Sequence, residues 1–139
     1  MKKLLELVRH HVAAGQVNIT LKFTLSALWN LTDESPSTCS VFLNEGGMAL
    51  FLLVLSSFPN DVSIETKVLG LLNNIAEVRE LRETILVDGF VSQLRYVLAT
   101  LSEVYIESRD FFLFWQDFAL QYSFCHVNKN LCNIPHLFL

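Results

Sequence analysis

Thr24 to Asp33, TLSALWNLTD, and the later stretch Val68 to Glu77, VLGLLNNIAE, together decide the fold. Laid over each other, Leu28-Trp29-Asn30-Leu31-Thr32-Asp33 falls on Leu72-Asn73-Asn74-Ile75-Ala76-Glu77. Asn30 thereby pairs with Asn74 and Asp33 with Glu77, each partner 44 residues on. An internal period of ~40–47 residues marks an α-solenoid, whose helical units bury their apolar faces only by stacking. Both copies interrupt an apolar helix with an amide and, three residues later, an acid, a spacing that puts the two on one helix face.

Outward from these stretches the chain reads as helices and breaks. Lys3 to Ala14 carries Leu4, Leu7, Val8, His11 and Val12 at helical spacing and stops at Gly15. Asn18 or Thr20 caps a second helix running to about Asp33, with Leu21, Leu25, Leu28 and Leu31 as its apolar stripe and Phe23 and Ala27 interleaved. Ser35-Pro36 restarts the chain, with Ser35 as cap and proline at the first helical position. A short helix through Phe42 and Leu43 ends at Asn44-Glu45-Gly46-Gly47, and the glycines turn the chain into Met48–Phe58. After Pro59-Asn60-Asp61 a long helix from Val62 to about Val78 turns Ile64, Val68, Leu71, Leu72 and Ile75 inward. Leu81 to Val87 is again short, Asp88-Gly89 repeats the glycine turn, and Phe90 to Leu101 repeats the helix after it.

Composition narrows the function. With 139 residues and 52% hydrophobic content the chain holds one sizeable core and is not disordered. A net charge of −4, with no basic block beyond Lys2-Lys3, argues against nucleic acid or an anionic membrane as partner and suits a cationic one. Cys39, Cys125 and Cys132 are odd in number and lack CxxC spacing, which predicts free thiols in a reducing compartment, the cytoplasm or the nucleus. Glu6, Arg9, His10 and His11 break the apolar run that a signal peptide would need after Lys2-Lys3. Met48 to Phe58, MALFLLVLSSF, falls short of the ~18–20 residues that span a bilayer and reads as a buried helix.

ALWNLTDESP, a short helix and NEGG together resemble an armadillo repeat. LKFTLSALWNLTDESPSTC combined with LGLLNNIAEV closely resembles the zyg-eleven family with its zer-one relatives, over roughly Lys3 to Leu94. That resemblance implies an all-α, armadillo-like α-solenoid fragment of about two to three repeats over residues 1–101. Residues 102–139 form a divergent, aromatic-rich tail, helical or poorly ordered, in which the asparagine motif is missing. It further implies a substrate receptor of cullin-two RING ubiquitin ligases that captures proteins with a free N-terminal glycine. The family's cullin-binding box and leucine-rich repeats are absent here, so ligase components would be reached only through regions outside this chain. A truncated or alternatively spliced product is expected.

In an armadillo unit the third helix lines the concave face, and Asn30 and Asn74 would form a ladder on helices ~8–10 Å apart. Asn offers a donor and an acceptor to an extended peptide backbone. A free α-amino group, with pKa ~7.7–8.0, is largely protonated at neutral pH, and two converging carboxylates would hold it. The resemblance therefore implies a glycine-binding pocket made of Trp29, Asn30, Asp33, Asn74 and Glu77, in which acetylation of the ligand abolishes the charge contact. Trp29 would border it and deny room to a Cβ.

Plainer readings compete. Asn30 and Asn74 can pin neighbouring units, Asp33 can be a helix-end residue, Glu77 with Arg79, Glu80 and Arg82 a solvated face, and Trp29 core. His10-His11 reads as a solvated pair, and Cys125, His126, Cys132 and His136 match no zinc spacing. No phosphate loop, GxSxG or HExxH occurs, so the expected protein is not an enzyme and takes no metal or cofactor. Two rival functions stand beside the receptor: an importin-alpha-like peptide carrier, whose groove spaces Trp and Asn four apart where Trp29 and Asn30 are consecutive, and a truncated scaffold or decoy.

Overall fold

The computed structural model describes residues 1–85, in which every regular element is a helix. α1 spans Lys2–Ala13, α2 Ile19–Thr32, α3 Pro36–Asn44, α4 Gly47–Ser57 and α5 Val62–Glu77; a 3₁₀ turn at Arg79–Leu81 leads into α6, Arg82–Ile85. The two longest helices, α2 and α5, each begin at a side-chain cap. The Asn18 carboxamide oxygen accepts from the Leu21 amide at 2.9 Å, and an Asp61 carboxylate oxygen accepts from that of Ile64 at 3.1 Å. Pro36 opens α3 as expected, but the Ser35 hydroxyl donates to the Thr38 hydroxyl at 2.8 Å and caps no backbone amide. Thr20 lies inside α2, which leaves Asn18 as its cap.

Between α3 and α4, Gly46 takes φ 73°, a left-handed conformation that a side chain would strain. Gly47 then packs its bare Cα against the Phe42 ring, where a Cβ would overlap the ring. Phe42 meets Phe51 edge to face, centroids 4.9 Å apart, and so joins α3 to α4. The core is completed by Leu5 and Val8 of α1, Leu21, Leu25 and Leu28 of α2, Val54 and Leu55 of α4, and Ile64, Val68, Leu71 and Ile75 of α5.

α2 and α5 lie side by side and run in the same direction. Near their N-termini Lys22 pairs with Asp61 at 2.9 Å; near their C-termini the Asn74 side chain donates to the Trp29 carbonyl at 3.0 Å. Parallel third helices are what stacked units require: α3, α4 and α5 form one complete unit, and α1 and α2 supply the last two helices of the one before.

The structure corrects several details of the sequence reading. Leu31 leaves the α2 stripe and is 47% exposed, while Thr32 is buried in its place, because the buried face follows Leu21, Leu25, Leu28 and Thr32. Phe23 is exposed and Leu5, outside the expected α1 set, is fully buried. His11 is buried rather than solvated, with Nδ1 3.4 Å from the Asn18 carboxamide nitrogen, whereas its neighbour His10 faces solvent. The expected glycine turn at Asp88-Gly89, the helix Phe90 to Leu101 and the tail 102–139 lie outside the described residues. Among the described residues no single helix is long and apolar enough to cross a membrane.

Candidate functional site at the ends of two parallel helices

The C-terminal ends of α2 and α5 bring the singled-out residues into one region, in unequal roles. Asn74 is buried, and its carboxamide nitrogen donates to the Trp29 carbonyl at 3.0 Å and to the Thr32 hydroxyl at 3.2 Å. The Thr32 hydroxyl in turn donates to the carbonyls of Leu28 and Trp29, at 3.1 and 2.8 Å. Asn74 thus fastens α5 onto the last turn of α2, and both N–H groups of its amide serve that fastening. Asn30, its repeat counterpart, is exposed. The two amides stand in different surroundings, as do Asn74 and Glu77 despite their helical spacing, since Glu77 is exposed.

Trp29 is half-buried and lies over Gly70 of α5. A Cβ at Gly70 would come within 2.5 Å of indole Cζ2 and 2.8 Å of Nε1, so the flat ring sits there because the α5 surface is notched by a glycine. This contact, together with the Asn74 bonds, makes Trp29 part of the α2–α5 joint as well as a border of the surface beside it.

Asp33 follows directly on α2 as its C-cap, and Glu77 is the last residue of α5. Both are exposed, and the Asn73 carboxamide donates to a Glu77 carboxylate oxygen at 2.8 Å and steadies it. Cys39 of α3 links the two ends. Its thiol reaches the Thr32 carbonyl at 3.3 Å and lies 4.0 Å from that of Asn74. Burial pushes the Cys39 thiol pKa up, the backbone contact opposes this, and the negative charge of Glu77 adds to the rise. The charge of Glu77 is therefore felt at a sulfur that touches the residue before Asp33.

Two parallel helix C-termini concentrate partial negative charge, here reinforced by Asp33 and Glu77 with no basic residue in the last turn of either helix. A cation already settles at this end. Arg82 donates from Nε to the Ala76 carbonyl at 2.8 Å and from a terminal nitrogen to the Glu77 carbonyl at 3.2 Å, capping α5. Arg82 therefore serves as a cap, whereas one of the competing readings of the sequence puts it on a solvated charged face. Among the described residues no cluster of His, Cys, Asp or Glu could hold a metal ion.

The family described as "Protein zer-1 homolog-like, C-terminal domain" matches residues 1–107. The chain belongs to the zer-1 homolog family. It is 38% identical over 100 residues to protein zer-1 homolog of Homo sapiens, covering 72% of this chain and 13% of that protein. Zyg eleven-related protein 1 of Caenorhabditis elegans is 36% identical over 86 residues, 62% of this chain and 10% of that protein. Protein zer-1 homolog of Drosophila melanogaster is 31% identical over 97 residues, 70% of this chain and 12% of that protein. The chain thus spans about an eighth of the length of the zer-1 homologs it matches, and residues 24–33 and 68–77, which decide the fold, fall inside the part that matches the family.

Two residues of this region escaped the sequence reading. Gly70 carried a signal: a glycine inside a strong helix costs about 1 kcal/mol and points to a close neighbour. Thr32, aligned with Ala76 in the repeat, carried none.

Proposed function

We propose that this chain is the peptide-receiving part of a ubiquitin-ligase substrate receptor, and that the ends of α2 and α5 take the free N-terminal glycine of a target protein. The observation that carries the reading is the side-by-side ending of two parallel helices with Asp33 and Glu77 at their tips. A protonated amino group meets there two carboxylates and the end of α2, a helix terminus of the favoured sign that contributes about 0.3–1 kcal/mol, while the end of α5 is already capped by Arg82. Trp29 forms the wall that leaves room for glycine and excludes a Cβ. Asn74 sets the distance between the acids by fastening α5 to α2, and Asn30 is the same amide one unit earlier. The connection to cullin-two ligase components, and a cytoplasmic or nuclear setting, extend the same proposal from the family resemblance.

Titrating a fluorescent peptide that begins with glycine into the whole chain tests it. The free amino terminus is expected to bind and its acetylated twin not. Asp33→Ala and Glu77→Ala should each weaken binding about tenfold, the usual worth of a charge-assisted hydrogen bond. Affinity unchanged in both variants removes the acids from the mechanism. Preference for a basic localisation peptide over the glycine terminus transfers the site to the importin-like carrier.

A further inference from the structure

Several hydroxyl side chains of this fold are turned back onto their own helix. Thr24, Ser26, Thr32, Ser56 and Thr66 each donate to a carbonyl four residues earlier, the ordinary partner of a hydroxyl inside a helix. Ser35 is placed differently. It stands between α2 and α3 on non-helical backbone, φ −127° and ψ 83°, and its hydroxyl donates to the Thr38 hydroxyl at 2.8 Å instead of capping α3. Asp33, Glu34, Pro36 and Ser37 around it are exposed, and Ser35 itself is half-buried. Ser35-Pro36 is also the one place in the sequence where a hydroxyl residue directly precedes a proline, since Phe58 precedes Pro59 and Ile134 precedes Pro135.

We propose that Ser35 is a modification site for a proline-directed protein kinase, and that the phosphate it receives becomes the cap that α3 lacks. A kinase of that class demands proline directly after the hydroxyl residue, because its surface there offers no acceptor for an amide N–H, and proline has none to satisfy. The residue before a proline is held out of the helical region, which keeps the Ser35 backbone in a form that a kinase cleft can take up. In the transfer the Ser35 Oγ bonds to the γ-phosphorus of ATP, the bridging P–O bond breaks, ADP leaves and the hydroxyl proton is released. The product fits what the helix start offers. Pro36 brings no N–H, and no described residue accepts a hydrogen bond from the Ser37 or Thr38 amide. A phosphate carries about −1.5 to −2 charges and three acceptor oxygens, and a helix N-terminus is where such a group is most favoured. Asp33 and Glu34 bear charge of the same sign, but both are exposed and can swing into water, whereas the two amides are fixed by the helix. The proposal does not rest on the glycine reading.

The test incubates the whole folded chain with ATP and a purified cyclin-dependent kinase and maps the product by mass spectrometry. One phosphate is expected, on Ser35. Incorporation should vanish in Ser35→Ala and in Pro36→Ala and persist in Ser37→Ala. Amide hydrogen exchange then reads the cap directly: the Ser37 and Thr38 amides should exchange about tenfold more slowly in the phosphorylated chain, the usual worth of a charge-assisted hydrogen bond. Its melting temperature should rise by about 2–8 °C, the shift that one added helix cap brings to a chain of this size. Incorporation only after unfolding in urea, or on other residues, overturns the proposal, since the site is then closed in the fold. So does a phosphorylated Ser35 that leaves the exchange of both amides unchanged or lowers the melting temperature.

Discussion

Gly70→Ala isolates the joint between the two long helices. In an exposed helix the change would stabilise by about 0.5–1 kcal/mol through reduced backbone freedom. Here the new methyl falls 2.5 Å from Cζ2 and 2.8 Å from Nε1 of Trp29, well inside van der Waals contact. A rigid bicyclic ring cannot bend away, so it must rotate off its rotamer or lift α5 from α2, and overpacking of this kind costs about 1–3 kcal/mol. The overpacking outweighs the helix gain, for a net loss of about 1–2 kcal/mol. Urea denaturation of Gly70→Ala, Trp29→Ala and the double variant closes a cycle. In the Trp29→Ala background Gly70→Ala should change sign and stabilise by about 0.5–1 kcal/mol. Stabilisation by Gly70→Ala in the otherwise unaltered chain would mean that the indole does not lie over Gly70, and the account of the joint would fail.

Other consequences follow from neighbouring residues. Asn74→Ala strips the Trp29 carbonyl and Thr32 hydroxyl of a donor and should cost about 1–3 kcal/mol in the same denaturation assay, whereas Asn30→Ala should be near neutral. Glu65 is fully buried and its carboxyl pKa is raised, chiefly by burial, against the bond it accepts from the Asn60 amide and with help from the Asp61 charge. A raised folded-state value means its stabilising contribution is whole below the ordinary carboxyl range and lost as pH rises through the folded value. Glu65→Gln should therefore gain stability relative to the parent at pH 7 and lose that advantage near pH 4. Asp61 has the opposite sign: burial pushes its pKa up, but the Lys22 and Ile64 contacts prevail and hold it below the ordinary value. Its contribution is lost as pH falls, so Lys22→Met should flatten the acid limb of the pH–stability curve. Cys39 is buried with a raised pKa, and a thiol reagent at pH 7.5 should label it only at the rate of unfolding, measured by mass spectrometry with and without urea.

The helices of this fold were legible because their signals are local. The cap Asn18, the break at Pro59-Asn60-Asp61, proline at the head of α3 and the glycine turn before α4 each act within a few residues. The repeat was legible because Asn and acid recur at one offset within apolar helix. What the repeat could not show is which side of each copy was already engaged. Asn30 and Asn74 are the same letter in the same frame, yet one is exposed and the other bonds a neighbouring helix, because a stacking face is satisfied only where a neighbour stands on it. Leu31 misled for a related reason: Leu28 admits a continuation at either three or four residues, and packing selects Thr32, whose hydroxyl is needed by Asn74. The position of Glu65 was equally hidden, since it occupies the repeat position of the buried Leu21 and nothing nearby announces a carboxyl in the core.

Lys22 with Asp61 and Asn74 with Trp29 hold the two long helices at opposite extremities. A single tether would let one rod pivot on the other, and two tethers at one end would let the far ends splay. Tethers at both ends suppress sliding and pivoting alike, so neighbouring units keep one spacing and one angle along their whole length. A flexible chain laid across such units would meet anchor points at a constant interval, which makes this pair of helices a ruler more than a hinge.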